Sequence, residues 1–220
     1  FWSNIMAWIY GNRYLSLAEM QNNAVLVQAY GLSQEWSVNA ICAIIGNLQS
    51  ESTINPGIWG DSGAAYGLCQ WNPYTKYSQW AGRGWKNNGD RQLERISYEA
   101  DNDLQWGRNI ETGQYPPYSL SDFLYDESTD IRTLARYWCF FYENPANVVN
   151  ESVKRGNNAI YWFNFLDWDN PPDPPDPDPP DPEDPEDPDD PEDPDDPDEP
   201  INIFPYWILF RFRGRGQRII

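Results

Sequence analysis

Histidine is absent from the 220 residues of this chain. Without an imidazole base, neither a Ser-His-Asp nor a Cys-His nucleophilic site can be built. Catalytic zinc sites normally use histidine ligands, so the same absence argues against a zinc enzyme. If the chain is an enzyme, carboxylic acids are the leading candidates for its acid and base. We expect no metal and no other cofactor.

Cysteine and long apolar runs are also scarce. The three cysteines, Cys42, Cys69 and Cys139, are odd in number and show no C-x-x-C spacing. We therefore expect buried free thiols rather than a disulfide framework. No apolar run reaches the ~18 residues that indicate a membrane span. The aromatic residues 1–10 lack the basic region and the small-residue cleavage site of a secretory signal.

The acidic residues are unevenly distributed. Residues 171–200 contain only Pro, Asp and Glu, and they hold nearly half of the 34 acidic residues. Such a segment cannot bury a core, so we expect a disordered, extended linker over 169–200. Residues 1–168 then form one globular domain, and 201–220 form a tail that is first apolar and then basic. The domain is only mildly acidic, which argues against nucleic-acid binding.

Apolar periodicity predicts that the domain is mostly helical. Ser16 and Glu19 form a capping box for a first helix that runs to about Tyr30, and Ser37 can cap a second helix with one apolar face. Further helices are expected to begin at Asp90, at Thr129 or Asp130, and at Asn157, the last of them ending at Leu166. Glycine and proline are concentrated in residues 55–70, which predicts a small hairpin.

Glu51 lies where the second predicted helix meets the predicted hairpin. In this position, on the edge of the apolar stripe, its side chain can face a cleft. Acid catalysis on sugars needs a carboxylic acid that stays protonated against a partly apolar wall. Small residues in the hairpin would let the backbone approach a sugar chain closely. The alternative is an ordinary surface carboxylate, because the side chain of an isolated glutamate is usually exposed to solvent.

Several motifs occur in a fixed order around Glu51. They are GNLQSES (46–52), INP (54–56), YGLCQW (66–71) and YENPA (142–146). The Glu-Ser and Gly-Leu-x-Gln elements are similar to those of goose-type lysozymes and lytic transglycosylases. The whole set, over about residues 12–166, resembles the phage tail lysozyme family. This resemblance implies an α+β, lysozyme-like fold that is mainly helical, with a small β-hairpin lobe.

The resemblance also implies the site. It assigns the general acid to Glu51 and the wall of the substrate cleft to Tyr66, Gly67 and Gln70. Trp71 is a further candidate for substrate binding. Aromatic rings pair a flat apolar face with a polar edge, so some of the rings near Glu51 can stack on sugars while others belong to the core. These rings are Trp59, Trp71, Tyr74 and Trp80.

Two other carboxyl groups have open or structural roles. Asp61 could activate a water molecule or stabilise the sugar cation of the transition state, which would make it a catalytic partner of Glu51. Alternatively it only shapes the Asp-Ser-Gly turn. Glu143, in the late Tyr-Glu-x-Pro motif, is expected to tie the last helices together through a hydrogen bond.

The resemblance implies a function, which is hydrolysis of the glycan strands of peptidoglycan by a protein of a phage virion, at the tail tip, when the phage enters its host. A lytic transglycosylase and a non-catalytic wall-binding tail module are the alternatives. The tail 201–220 could dock onto another virion protein or contact a membrane through its aromatic residues and arginines. A third interpretation, besides docking and membrane contact, is that this segment is a disordered terminus.

Overall fold

The computed structural model describes residues 7–171. The predictions for the rest of the acidic linker and for the tail 201–220 lie outside the described residues. The described chain is built from these elements: α1 (Leu17–Ser33), α2 (Val38–Ser52), β1 (Trp59–Gly60), β2 (Ala65–Tyr66), α3 (Thr75–Ala81), α4 (Gly89–Asp101), α5 (Leu120–Leu124), α6 (Ile131–Trp138), a π-helical turn (Cys139–Glu143) and α7 (Val148–Phe165).

The predicted α+β class is confirmed. The helices account for most of the described chain, and β1 pairs antiparallel with β2 in a two-stranded hairpin. Trp59 lies opposite Tyr66, and Gly60 lies opposite Ala65. A 3-10 turn over Asp61–Gly63 joins the strands. The hairpin therefore falls within the glycine-rich stretch in which the sequence predicts it.

The helix starts are largely as the sequence predicts. Ser16 Oγ accepts from the backbone N of Glu19, and Glu19 Oε2 accepts from the backbone N of Ser16, so the capping box of α1 is confirmed. The predicted start of α4 at Asp90 is wrong. Asn88 caps this helix by accepting from the backbone N of Arg91, whereas Asp90 accepts from the indole of Trp8.

The largest difference concerns α7, which begins nine residues before the predicted start at Asn157. Its first residue, Val148, donates its backbone N–H to Glu111 Oε2 at 2.9 Å. The cap residue Asn147 is in the left-handed conformation and makes no side-chain capping bond. Because the carboxylate that caps the helix comes from a distant loop, the local sequence carries no start signal.

Helix α2 is the centre of the core. Its residues from Ala40 to Leu48 are all buried, and it packs against α1, α6 and α7. A helix that is buried on every side forms where apolar residues surround its axis, as they do here. The three cysteines are free and buried, as predicted. Among residues 7–171, no helix has the length and apolar character needed to cross a bilayer.

Candidate functional site

Glu51 is the penultimate residue of α2, at the edge of the core. The helix ends because Thr53 adopts the left-handed conformation. Ser52 fixes the following turn: its Oγ donates to the carbonyl of Leu48 and accepts from the backbone N of Asn55. The side chain of Glu51 remains 18% exposed. The carboxylate is therefore held by a rigid helix end and is still accessible to solvent.

A buried arginine of α7 is the counter-charge of Glu51. Nη2 of Arg155 lies 2.5 Å from Oε1 of Glu51, and the Arg155 side chain is only 4% exposed. Nη1 of Arg155 donates to Asn47 Oδ1 at 3.2 Å, and Nε lies 3.9 Å from Glu151 Oε2. A buried cation requires such partners, because removal from water is costly. The sequence analysis did not identify Arg155 as a site residue.

The residues of α2 just before Glu51 form the surface against which α7 packs. Gln49 Oε1 accepts from the indole of Trp162 at 2.9 Å, and Ser50 Oγ accepts from Asn158 Nδ2 at 3.2 Å. Asn47 also donates to the carbonyl of Ala135 on α6 at 3.0 Å. The polar residues before Glu51 therefore orient the end of α2 against two other helices.

Glu143 is the second carboxyl near Glu51. It ends the π-helical turn, and its Oε1 accepts from the indole Nε1 of Trp138 at 2.8 Å. This bond lies within one helical segment, so it does not join two helices as the sequence analysis predicts. Burial and the charge of Glu51 raise the pKa of Glu143 well above its usual range, and Arg155 acts in the opposite direction. Glu51, Glu143 and Arg155 thus share one electrostatic environment.

Gly67 and Gln70 brace the hairpin from within. Gly67 has φ +79°, and the neighbouring N–H of Leu68 donates to Gln92 Oε1 at 2.7 Å. Gln92 also donates to the carbonyl of Pro56, so it clamps the two sides of the loop together. Gln70 Nε2 donates to the carbonyl of Gly67 at 2.9 Å. The Gly-Leu-x-Gln motif is therefore explained by internal contacts, and a role in ligand binding stays a prediction.

Tyr66 and Trp71 are core residues, each only 1% exposed. The hydroxyl of Tyr66 donates to Asn87 Oδ1 and accepts from the backbone N of Asn87. The indole of Trp71 donates to Glu99 Oε1 at 3.2 Å. Neither ring presents an open face for stacking on a sugar. The side chain of Trp71 instead bonds to α4, and that of Tyr66 bonds to the loop before α4. A role of either residue in substrate binding stays a prediction.

Other aromatic rings near the hairpin are only partly buried. Trp59 makes edge contacts with Tyr74 at 5.2 Å and with Trp85 at 6.0 Å between ring centroids. Tyr74 stacks on Trp85 at 5.7 Å. Trp80 is covered by the guanidinium of Arg91, 4.3 Å from its ring centroid. Trp59, Tyr74 and Trp85 are therefore the better candidates for stacking, and Trp85 was missed because it follows a glycine-rich loop without any motif.

Asp61 lies on the exposed surface of the hairpin. Its Oδ2 accepts from Asn72 Nδ2 at 2.7 Å, and its backbone begins the 3-10 turn with φ +47°. The observed contacts agree with a role in shaping the turn, and a catalytic role stays a prediction. Residues 7–171, the described part of the chain, contain no group of three or more Cys, Asp or Glu placed to hold a metal ion.

Two comparisons with known proteins find similar sequences that cover these residues. The family model described as phage tail lysozyme matches residues 22–166. The chain is also 41% identical over 162 residues to Morphogenesis protein 1 of Bacillus phage B103. That alignment covers 70% of this chain and 42% of the relative, so the chain spans less than half of the relative's length. Glu51, Glu143 and Arg155 all fall within the matched range.

Proposed function

We propose that this chain, which belongs to the phage tail lysozyme family, hydrolyses the glycan strands of peptidoglycan with Glu51 as general acid. The family membership agrees with the resemblance seen in the sequence motifs. The observation that carries the proposal is the placement of Glu51. Its carboxylate stands at the end of α2, which precedes the hairpin in the chain, and it is partly exposed and paired with the buried Arg155.

The chemistry follows from this placement. A glycosidic bond breaks when an acid protonates the leaving oxygen while positive charge develops on the sugar ring. A carboxyl held in one orientation by a buried partner can deliver its proton along one direction. A water molecule then gives its hydroxyl to the sugar and its proton to a carboxylate, which completes hydrolysis and restores the acid. Asp61, on the hairpin, is the proposed partner that would activate this water or stabilise the charged sugar.

We further propose that the protein is part of the phage particle and acts at the tail tip on the host wall. The relative from phage B103 is named a morphogenesis protein, which supports a place in the particle. Docking of the tail 201–220 onto another virion protein belongs to the same proposal. Particles assembled with a chain that lacks 201–220 should contain fewer copies of it. A normal copy number would contradict the docking proposal.

The decisive experiment compares the wild type with Glu51→Gln on purified peptidoglycan. The amide keeps the size of the side chain but cannot donate the catalytic proton, so we expect lysis to fall by about 10²–10⁴-fold. Glu127→Gln, which makes the same change at an exposed position, should lyse at the wild-type rate. Lysis by Glu51→Gln at the wild-type rate would contradict the assignment of Glu51.

A lytic transglycosylase is the second candidate. It is favoured by the hydrogen bond between Asp61 and Asn72, which gives Asp61 a role in the turn, because a single catalytic carboxyl suffices for that reaction. Analysis of the digested glycan ends separates the two reactions. Hydrolysis yields reducing ends, whereas transglycosylation yields anhydro-sugar ends. Binding of peptidoglycan without any cleavage would instead indicate a wall-binding module.

A further inference from the structure

The guanidinium of Arg155 bridges two residues of α2 that lie one helical turn apart. Its Nη2 donates to Glu51 Oε1 at 2.5 Å, and its Nη1 donates to Asn47 Oδ1 at 3.2 Å. Residues at i and i+4 lie on the same face of a helix, so one planar group can reach both. Among the described residues, Nε of Arg155 makes no hydrogen bond. The two Nη contacts therefore fix the orientation of the guanidinium.

Asn47 is held in the orientation that this bridge needs. It is fully buried, and its Nδ2 donates to the carbonyl of Ala43 at 2.8 Å and to the carbonyl of Ala135 at 3.0 Å. A flipped amide would lose both bonds and would turn a donor group toward Arg155, which has no acceptor. The oxygen of Asn47 must therefore face Arg155, and it accepts from Nη1.

The helix that carries Arg155 is fixed against the same stretch of α2. Asn158 donates to Ser50 Oγ at 3.2 Å, and the indole of Trp162 donates to Gln49 Oε1 at 2.9 Å. The side chain of Arg155 is only 4% exposed. A buried side chain has already lost its rotamer freedom on folding, so the bridge is formed before any ligand binds.

We propose that Arg155 is a positioning residue for Glu51: it holds Oε1, so that Oε2 carries and delivers the catalytic proton. Protonation at Oε1 would weaken the charge-assisted bond from Arg155, whereas protonation at Oε2 preserves that bond. The side chain of Glu51 is 18% exposed, so it can meet a substrate while Arg155 stays buried. Asn47 acts one step further away, by orienting Arg155. This inference deepens the proposed function and rests on it.

The proton balance of the step involves one oxygen of Glu51. The proton leaves Oε2 for the glycosidic oxygen, which takes the electron pair of the breaking carbon–oxygen bond. The guanidinium keeps its bond to Oε1 and balances the carboxylate that has formed. A water molecule then gives its hydroxyl to the sugar and its proton to Oε2. The carboxyl therefore needs no rotation between one turnover and the next.

The first test is the steady-state cleavage of purified peptidoglycan by Arg155→Lys. Lysine keeps the positive charge but lacks the planar fork that bridges Asn47 and Glu51. We expect kcat to fall by roughly 10²-fold, the cost of misplacing a reacting group by about 1 Å, with an unchanged KM. Arg132→Lys, the same change at an exposed position of α6, should keep the wild-type kcat. A wild-type kcat in Arg155→Lys, or a change in KM alone, would overturn the proposal.

A second measurement depends neither on lysis nor on the stability of one variant. Denaturant unfolding of the full chain is measured for Arg155→Met, for Glu51→Ala and for the double variant. Loss of one partner leaves the other without its bond, so the double variant should be less destabilised than the sum of the two single changes. Arg155→Met combined with Glu127→Ala, an exposed position, should be additive. Additive effects of Arg155→Met and Glu51→Ala would overturn the pairing.

The two measurements separate this inference from the proposed function. Lysis by the wild type together with an unchanged kcat in Arg155→Lys would contradict the positioning role alone. Non-additive unfolding free energies without any lysis by the wild type would leave the pairing in place. In that case the proposed function fails, and the assignment of the catalytic proton to Oε2 fails with it.

Discussion

Gly46 of α2 lies directly against the backbone of Ala159 on α7. A Cβ atom at position 46 would stand 2.6 Å from the backbone N of Ala159 and 2.8 Å from the carbonyl oxygen of Arg155. Only glycine allows the two helices to approach this closely. The same approach brings Arg155 beside Glu51, so one missing side chain sets the geometry of the site.

Gly46→Ala should destabilise the fold by about 1–3 kcal/mol, because backbone atoms of α7 must move to accept the methyl group. Gly156→Ala is the matched control. Its Cβ would meet Arg132 at 3.6 Å, an ordinary contact, so this change should leave stability unchanged or raise it by up to about 1 kcal/mol through helix propensity. Denaturant unfolding measures both. Equal stability of the two variants would contradict the close approach at Gly46.

Gly67→Ala should disrupt the hairpin for two reasons. Position 67 has φ +79°, which costs a non-glycine residue about 1–2 kcal/mol, and its Cβ would stand 2.3 Å from Gln92 Oε1. Gly84→Ala has the same backbone problem, φ +71°, but its Cβ would meet nothing within 4 Å. The difference in unfolding free energy between the two variants therefore measures the contact with Gln92. We expect Gly67→Ala to be the less stable variant; no difference would mean that the clamp by Gln92 is unimportant.

Asp61→Asn should reduce lysis much less than Glu51→Gln does. The amide oxygen can still accept from Asn72 and keep the turn, which is the role that the described contacts of Asp61 support. The measurement is the rate of peptidoglycan cleavage by each variant. Equal melting temperatures of the two variants show that both remain folded. A loss of activity as large as that of Glu51→Gln would make Asp61 a catalytic partner and would favour a two-carboxylate mechanism.

Acid should weaken the start of α1. Hydrogen bonds, first from Arg13 and then from Ser16, lower the pKa of Glu19 to about 2. A lowered pKa means that the stabilisation is present above the ordinary pKa near 4.5 and is lost as pH falls toward 2. The stability difference between the wild type and Glu19→Gln should therefore be largest above pH ~5 and vanish near pH ~2. A difference that is constant across this range, measured by denaturant unfolding, would contradict the shift.

Local signals in the sequence determine much of the fold. The capping box at Ser16, the apolar periodicity of α2 and the glycine-rich stretch before Gly67 act over a few residues, so their structures follow from local physical chemistry. The position of Glu51 at the junction of helix and hairpin follows for the same reason. The motifs around Glu51 thus suffice to indicate the family, and they predict Glu51 as the acid of the candidate site.

The partners of that acid were decided by tertiary structure alone. Arg155 bonds to Asn47, a residue 108 positions earlier in the chain. Glu143 lies at the end of a π-helical turn, which no local sequence pattern predicts. Gln92 clamps the hairpin from a helix 24 residues away. Such contacts depend on how closely the helices pack. Gly46 and the buried face of α2 permit close packing, but apolar periodicity cannot specify the distance between two helices. The sequence by itself therefore predicts which residue is the acid, and only the packing of α2 against α6 and α7 decides which charged groups lie near Glu51.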